Sequence, residues 1–103
     1  PYPSWPRWGI IGSATITGWS TDTDMDYDLT TGLYSITMTL SAGEIKFRLE
    51  DSWTTNFGDD GNNLTLDAGG ANIPIPTAGT YTIICNFDSV AHGGIPAKTY
   101  TIQ

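Results

Sequence analysis

The sequence predicts an all-β fold, an immunoglobulin-like antiparallel sandwich of about seven short strands. Apolar and polar residues alternate with period two in several segments, and almost no segment has the apolar spacing of a helix. Glycine-containing turns separate these segments about every 8 to 12 residues. The 103 residues suffice for one core, and a single cysteine, Cys85, excludes an internal disulfide.

Each predicted strand is a short apolar or alternating segment between two turn signals. In chain order the strands are 8–11, 33–40, 44–50, 64–67, 72–75, 80–88 and 98–102. Alternation is clearest in 33–40, 44–50 and 80–88, whose apolar faces supply most of the core. The predicted core consists of Tyr34, Ile36, Met38, Ile45, Phe47, Leu49, Tyr81, Ile83 and Phe87. We expect residues 1–7, which contain three prolines, to be an incoming linker, and 8–103 to be one domain.

The charge balance excludes two classes of partner. Lysine and arginine total 4 against 11 acidic residues, for a net charge of -7. Nucleic acids and anionic membranes both require basic patches, so neither is an expected partner. No apolar run approaches the roughly 20 residues that a transmembrane helix needs. Any export or lipid signal would lie upstream of this segment.

The sequence does not predict an enzyme. The one histidine, His92, lies in a glycine-rich loop signal, so a nucleophile would lack a matched base. Cys85 falls on the inward face of its strand and is expected to be a buried small hydrophobe. Glu44 and Glu50 are about 20 Å apart along one strand, too far to flank one glycosidic bond. We expect no cofactor.

The acidic segment 22–28 has carboxylates at alternate positions, as a calcium loop does. A twelve-residue calcium loop starting at Asp24 would need glycine at Leu29 and glutamate at Ser35, and both requirements fail. We therefore expect a solvated acidic loop without a metal, and expect the same of the acidic turn 59–63.

Strand 44–50 carries the most informative polar face. Lys46 and Arg48 are expected about 7 Å apart on the face opposite the apolar residues, with Glu44 beside them. These side chains are either solvated charges that neutralise one another or hydrogen-bonding groups for the hydroxyls of a sugar. The strand pattern leaves both interpretations open.

Two tryptophans shift that balance. Trp19 and Trp53 lie in polar segments that we interpret as loops, outside any alternating apolar face, whereas Trp8 lies within a strand and is expected to be structural. An indole ring beside polar donors suits the apolar face and hydroxylated edge of a sugar. The alternative is that both rings plug the end of the sandwich, and their exposure on one surface separates the two.

Six segments, in order, resemble the SusE/SusF-type outer-membrane proteins of Bacteroidetes starch-utilisation systems. They are Ile11–Thr15 with Gly18 and Trp19, then Gly32–Thr37, Leu40–Arg48, Trp53–Gly61, Gly69–Ile73 and Thr77–Thr82. The resemblance spans about residues 8–102, and the common order makes it more specific than any one segment.

The resemblance implies a non-catalytic carbohydrate-binding module that holds an α-glucan such as starch. Carried over by position, Trp19 and Trp53 would form an aromatic platform. Lys46, Arg48 and Glu44 would supply hydrogen bonds. Asn86, predicted to face outward on strand 80–88, would join them if that strand neighbours 44–50.

The resemblance also implies a setting and an alternative. Such modules belong to lipoproteins on the extracellular face of the outer membrane, anchored upstream, and usually stand in tandem with neighbouring domains of the same chain. The alternative function is a structural spacer of the same protein type that binds no glycan. A calcium-stabilised adhesin-like domain and an unrecognised enzyme also stay open.

Overall fold

A computed structural model describes residues 5–103, and in them the chain forms ten β-strands and no helix. The strands are β1 (Trp8–Ile11), β2 (Thr23–Asp24), β3 (Asp26–Tyr27), β4 (Tyr34–Leu40), β5 (Gly43–Leu49), β6 (Ser52–Gly58), β7 (Asp67–Ala68), β8 (Ile73–Ile75), β9 (Gly79–Asn86) and β10 (Thr99–Ile102). Over residues 5–103, no helix has the length and apolarity that crossing a membrane would require.

The strands form two antiparallel sheets, which confirms the predicted all-β sandwich. The first sheet has the order β2-β1-β5-β6-β7, with β8 also paired to β5, and the second has the order β10-β9-β4-β3. In the first sheet β5 is the central strand, because it pairs with β1, β6 and β8. The strand predicted to carry the functional face is therefore held on both sides.

The core lies between the sheets and is rich in aromatic rings. Of the nine predicted core residues, Tyr34, Ile45, Phe47, Ile83 and Phe87 are buried, and Ile36, Met38, Leu49 and Tyr81 pack half-buried against them. Trp8 stacks on Phe87 with ring centroids 3.9 Å apart, so its structural role is confirmed. The inward face of β5 is therefore the face that the alternation predicted.

Three strands were not predicted, and one boundary was wrong. β6 occupies a segment interpreted as a loop, and β2 and β3 lie within the acidic segment 22–28. The predicted strand 64–67 is mostly irregular, since β7 begins only at Asp67. The period-two signal is weak in all of these: β2, β3 and β7 have two residues each, and a bulge interrupts β6.

Only part of the predicted linker lies within the described residues, because 1–4 fall outside them. Trp5 stacks on Tyr27 of β3 at 5.3 Å. Arg7 forms ion pairs with Glu50 and Asp51, at 3.1 and 3.5 Å. Residues 5–7 thus contact both sheets of the sandwich.

Candidate functional site

The turn between β5 and β6 places Trp53 above the outer face of the first sheet. Glu50 and Asp51, with φ of 53° and 57°, form a two-residue hairpin turn in the left-handed region, and Leu49 pairs with Ser52 across it. Arg48 then pairs with Asn56, so the three residues between Ser52 and Asn56 form a bulge. Bulges redirect side chains, and the Trp53 ring centroid lies 4.7 Å from Cζ of Arg48 and 5.8 Å from Nζ of Lys46.

Lys46 and Arg48 face away from the core as predicted, but they are covered. Phe47 between them is fully buried, which confirms the register, yet Lys46 and Arg48 are only 9% and 7% exposed. Their interpretation as solvated surface charges is therefore wrong. A second layer, to which Trp53 belongs, lies over the outer face of β5 and removes most of these two side chains from water.

A compact loop of residues 12–22, which joins β1 to β2, carries the other predicted platform residue. Gly12 packs so closely on β5 that a Cβ there would lie 2.1 Å from the carbonyl oxygen of Glu44. The Ala14 amide donates to that same carbonyl at 3.1 Å, and Thr15 Oγ1 donates to the carbonyl of Gly12 at 2.9 Å. The base of this loop is thus fixed to β5 before the chain reaches Trp19.

Trp19 and Trp53 form a tryptophan pair on one surface. Their ring centroids are 6.0 Å apart, with a 35° angle between the ring planes. Trp19 is 40% exposed and Trp53 is 46% exposed, so each ring presents area to solvent while also contacting protein. Shared exposure on one surface favours a binding platform over two buried plugs.

The Arg48 guanidinium is held by an acidic residue that the sequence analysis assigned to solvent. Nε of Arg48 donates to Oδ1 of Asp22 at 2.8 Å, and Nη2 donates to the same oxygen. The Asp22 side chain is fully buried, so its expected place in a solvated acidic loop is wrong. The charge pattern of 22–28 alone contains no signal for this pairing.

The Lys46 ammonium has no hydrogen-bond acceptor or ion-pair partner within residues 5–103. Burial lowers the pKa of Lys46, and the negative charge of Asp60 partly opposes that shift. A desolvated cation without a partner is energetically costly. The ammonium lies 5.8 Å from the centroid of the partly exposed Trp53 ring, within the range of a cation–π contact.

Glu44 lies at the far end of the same strand face, about 13 Å along β5 from Arg48. Its side chain is exposed, and its Oε1 accepts a hydrogen bond from Nδ2 of Asn72 at 3.1 Å. Asn72 was not predicted as a site residue. It directly precedes β8, and only the pairing of β8 with β5 brings it to Glu44.

Asn86 does not belong to this surface. β9, which carries it, lies in the second sheet and is not a neighbour of β5. Its side chain is fully buried, and Nδ2 donates to the carbonyl oxygens of Val90 and Ile95, both at 2.9 Å. The prediction that Asn86 faces outward is wrong, because its amide instead closes the loop that follows β9.

The remaining titratable candidates are placed as expected of structural residues. Cys85 is fully buried, and burial raises the pKa of its thiol well above the ordinary value. His92 lies in the loop after β9, half-buried, and its Nε2 is 2.8 Å from a carboxylate oxygen of Asp88. Within residues 5–103 no three His, Cys, Asp or Glu side chains converge as metal ligands would.

Comparison with known proteins identifies one family. The model of the SusF/SusE starch-specific carbohydrate-binding modules matches residues 8–101. No curated protein and no solved structure gives a significant match.

Proposed function

This chain belongs to the SusF/SusE family of starch-specific carbohydrate-binding modules, and we propose that the tryptophan pair, Lys46 and Arg48 form its glucan-binding surface. Family membership makes the chain a non-catalytic starch-binding module. In this proposal Trp19 and Trp53 stack on glucose rings, Lys46 and Arg48 donate hydrogen bonds to ring hydroxyls, and Glu44 with Asn72 contacts the chain further along.

The observation that carries the proposal is the meeting of two exposed indoles and two covered cations on one face. The Trp53 ring centroid is 6.0 Å from that of Trp19, 4.7 Å from Cζ of Arg48 and 5.8 Å from Nζ of Lys46. A sugar ring offers an apolar C–H face and a polar rim of hydroxyls. Stacking rings with donors beside them therefore match both parts of a sugar at once.

The tilt of the tryptophan pair supports an α-glucan over a flat β-linked chain. The two ring planes differ by 35°. Successive glucose rings of an α-1,4-glucan turn relative to each other, because the chain is helical, whereas those of a β-1,4-glucan follow a flat ribbon. Two rings inclined to each other complement a curved chain.

Arg48 and Lys46 both keep N–H donors that could bind the hydroxyls of a sugar. Arg48 uses Nε and Nη2 on Asp22, which leaves Nη1 without a partner within the described part of the chain. Lys46 contributes a second charged donor next to the same indole. Hydrogen bonds from charged donors contribute about 1.5 to 3 kcal/mol, more than neutral ones.

Both tryptophans are nearly half exposed, so they offer a sugar a surface to stack on and do not enclose it, and we expect modest affinity for a short glucan. Ordering a flexible sugar chain offsets much of the contact energy. We expect a dissociation constant of about 10 μM to 1 mM for an oligosaccharide, equivalent to roughly -7 to -4 kcal/mol. Neighbouring modules of the same chain, as the family resemblance implies, would raise the avidity for a polymer without new contacts.

The proposal extends to the setting of the module. We propose that it is part of a lipoprotein on the extracellular face of the outer membrane, with its lipid anchor upstream and neighbouring domains in the same chain. The net charge of -7 suits a neutral polysaccharide partner, which needs no basic surface.

Affinity electrophoresis against starch, pullulan, dextran and a β-glucan tests the proposed function. We expect retardation by starch and pullulan, loss of retardation in Trp53→Ala and Trp19→Ala, and no effect of Leu29→Ala. Leu29 is a matched control because it is an exposed apolar residue in the turn that joins β3 to β4, two strands of the second sheet. A wild type that no glucan retards would support the spacer function instead, whereas retardation retained by both tryptophan variants would show that starch binds elsewhere on the module.

A further inference from the structure

Asp22 is the only carboxylate that contacts Arg48 within residues 5–103. It has no part in the sugar contacts proposed above. We propose that Asp22 is a positioning residue of the glucan site: it fixes the Arg48 guanidinium under Trp53 and thereby sets the relation of the two indoles. The inference rests on the proposed function for its consequence on binding, while its structural part can be tested without a ligand.

The first argument is the room that the first sheet leaves for Asp22. Gly9 pairs directly with Arg48 across β1 and β5, so a side chain at residue 9 would stand beside Arg48 on the outer face. A Cβ at Gly9 would lie 2.8 Å from Cβ of Asp22 and 3.1 Å from its Oδ2. Asp22 therefore occupies the space that a side chain at position 9 would fill.

The second argument is connectivity. Asp22 ends the 12–22 loop, whose base is fixed to β5 and which carries Trp19. Arg48, on β5, lies against Trp53. One ion pair thus joins the segment that carries the first indole to the cation under the second, and the distance between the two rings depends on it.

The third argument is energetic. A buried ion pair is weak evidence for stability, since an apolar pair of similar size is often equally stable. Here both side chains are buried, and Oδ2 of Asp22 has no hydrogen-bond partner among the described residues. A fold selected only for stability would not need this arrangement, whereas a site that must orient a guanidinium does. Holding Arg48 by Nε and Nη2 fixes its plane and leaves Nη1 for a hydroxyl.

The test compares Asp22→Asn and Gly9→Ala with wild type. Asp22→Asn removes the charge and keeps the size, and Gly9→Ala displaces Asp22 without changing any charge. Asp26→Asn is the matched control, because it makes the same charge change on an exposed residue of the second sheet. The two readouts are the exciton coupling between the two tryptophans in far-ultraviolet circular dichroism and the dissociation constant for a malto-oligosaccharide, both measured well below each melting temperature.

We expect both site variants to lose the coupled signal and to bind about tenfold more weakly or worse, while Asp26→Asn matches wild type. If Asp22→Asn does not fold, Gly9→Ala decides in its place. A folded variant with an unchanged dichroism signal and unchanged affinity, but a lower melting temperature, would overturn the inference and make Asp22 merely structural. If instead Trp53→Ala binds glucan normally, the tryptophan pair is not the glucan-binding surface and the proposal made for it fails. The dichroism result alone then decides whether Asp22 positions Arg48.

Discussion

The hydroxyl of Tyr100 donates a hydrogen bond to a carboxylate oxygen of Asp59 at 2.6 Å, and this contact joins the two sheets. Tyr100 lies on β10 of the second sheet, and Asp59 directly follows β6 of the first. Both residues are almost completely buried. The acidic turn 59–63 was predicted to be solvated, but its first residue has a structural role. The Asp59 carboxylate also accepts a hydrogen bond from the amide of Leu64 at 2.8 Å.

We therefore expect Tyr100→Phe to lower the free energy of unfolding by about 1 to 3 kcal/mol, because Asp59 loses a donor that water cannot replace. Urea unfolding measures the change. Tyr81→Phe is the control. The Tyr81 hydroxyl donates to the Thr77 carbonyl in an exposed position, so losing this hydrogen bond is expected to change the free energy of unfolding little. Unchanged stability in Tyr100→Phe would show that water or another group satisfies Asp59.

We expect Trp8→Ala to lower mainly the stability of the domain and Trp53→Ala to lower mainly its binding to starch. Trp8 is buried and stacked on Phe87, so Trp8→Ala is expected to cost about 3 to 5 kcal/mol of stability. Trp53 is nearly half exposed, and Trp53→Ala is expected to cost about 1 kcal/mol while abolishing retention on starch. Thermal melts and affinity electrophoresis on the same samples separate the two. A Trp53→Ala protein that melts as low as Trp8→Ala would identify Trp53 as a core residue.

Glucan affinity should fall at alkaline pH through Lys46. Burial lowers the pKa of this side chain, so it loses its charge at a lower pH than an exposed lysine does. A charged donor forms the stronger hydrogen bond. We expect the dissociation constant of wild type to rise with pH before an exposed lysine would lose its charge, whereas Lys46→Met binds severalfold more weakly with a flat profile.

The stability contributed by Lys46 should change in the opposite direction. The native state binds this proton less tightly than the unfolded chain, so the unfavourable contribution of Lys46 decreases as pH rises through its lowered pKa. Calorimetry of wild type and Lys46→Met as a function of pH measures this difference. A wild-type affinity profile as flat as that of Lys46→Met would exclude the ammonium from glucan binding.

Alkaline unfolding should involve Tyr34. Burial, followed by the charges of Tyr27, Glu50 and Asp88, raises the pKa of Tyr34 from 10.0 to about 12. The native state therefore holds this proton more tightly than the unfolded chain, and the stability it contributes is complete below pH 10.0 and is lost up to about pH 12. Chemical unfolding of wild type and Tyr34→Phe across this window should show a smaller pH-dependent loss in the variant. Parallel curves would contradict the shift.

The alternation of apolar residues determined the strands that carry most of the core. β4, β5 and β9 each present apolar residues with a period of two, and the sandwich turns the predicted face of each towards the core. This part is local: a strand places successive side chains on opposite faces whatever its neighbours are. The same rule placed Lys46 and Arg48 on the face opposite Phe47 before any partner strand was known.

β6 and its tryptophan show where local pattern fails. The bulge between Ser52 and Asn56 breaks the period, so the segment with Trp53 has no alternation to detect. Polar surroundings did indicate that Trp19 and Trp53 both lie at the surface, where each is partly exposed. Their meeting at 6.0 Å depends on the bulge and on the 12–22 loop together.

The partners of individual polar residues were decided by the tertiary structure alone. Asp22 and Asn86 were both expected at the surface, and both side chains are buried. Arg48, far along the chain, donates to the Asp22 carboxylate, and Asn86 donates to carbonyls of the loop that folds back after β9. Asn72 reaches Glu44 only through the pairing of β8 with β5. Sequence periodicity determines which face of a strand a side chain occupies. Whether the side chain is buried and which groups it hydrogen-bonds depend on what packs over that face. That packing is decided by tertiary contacts, which the pattern within a single strand does not contain.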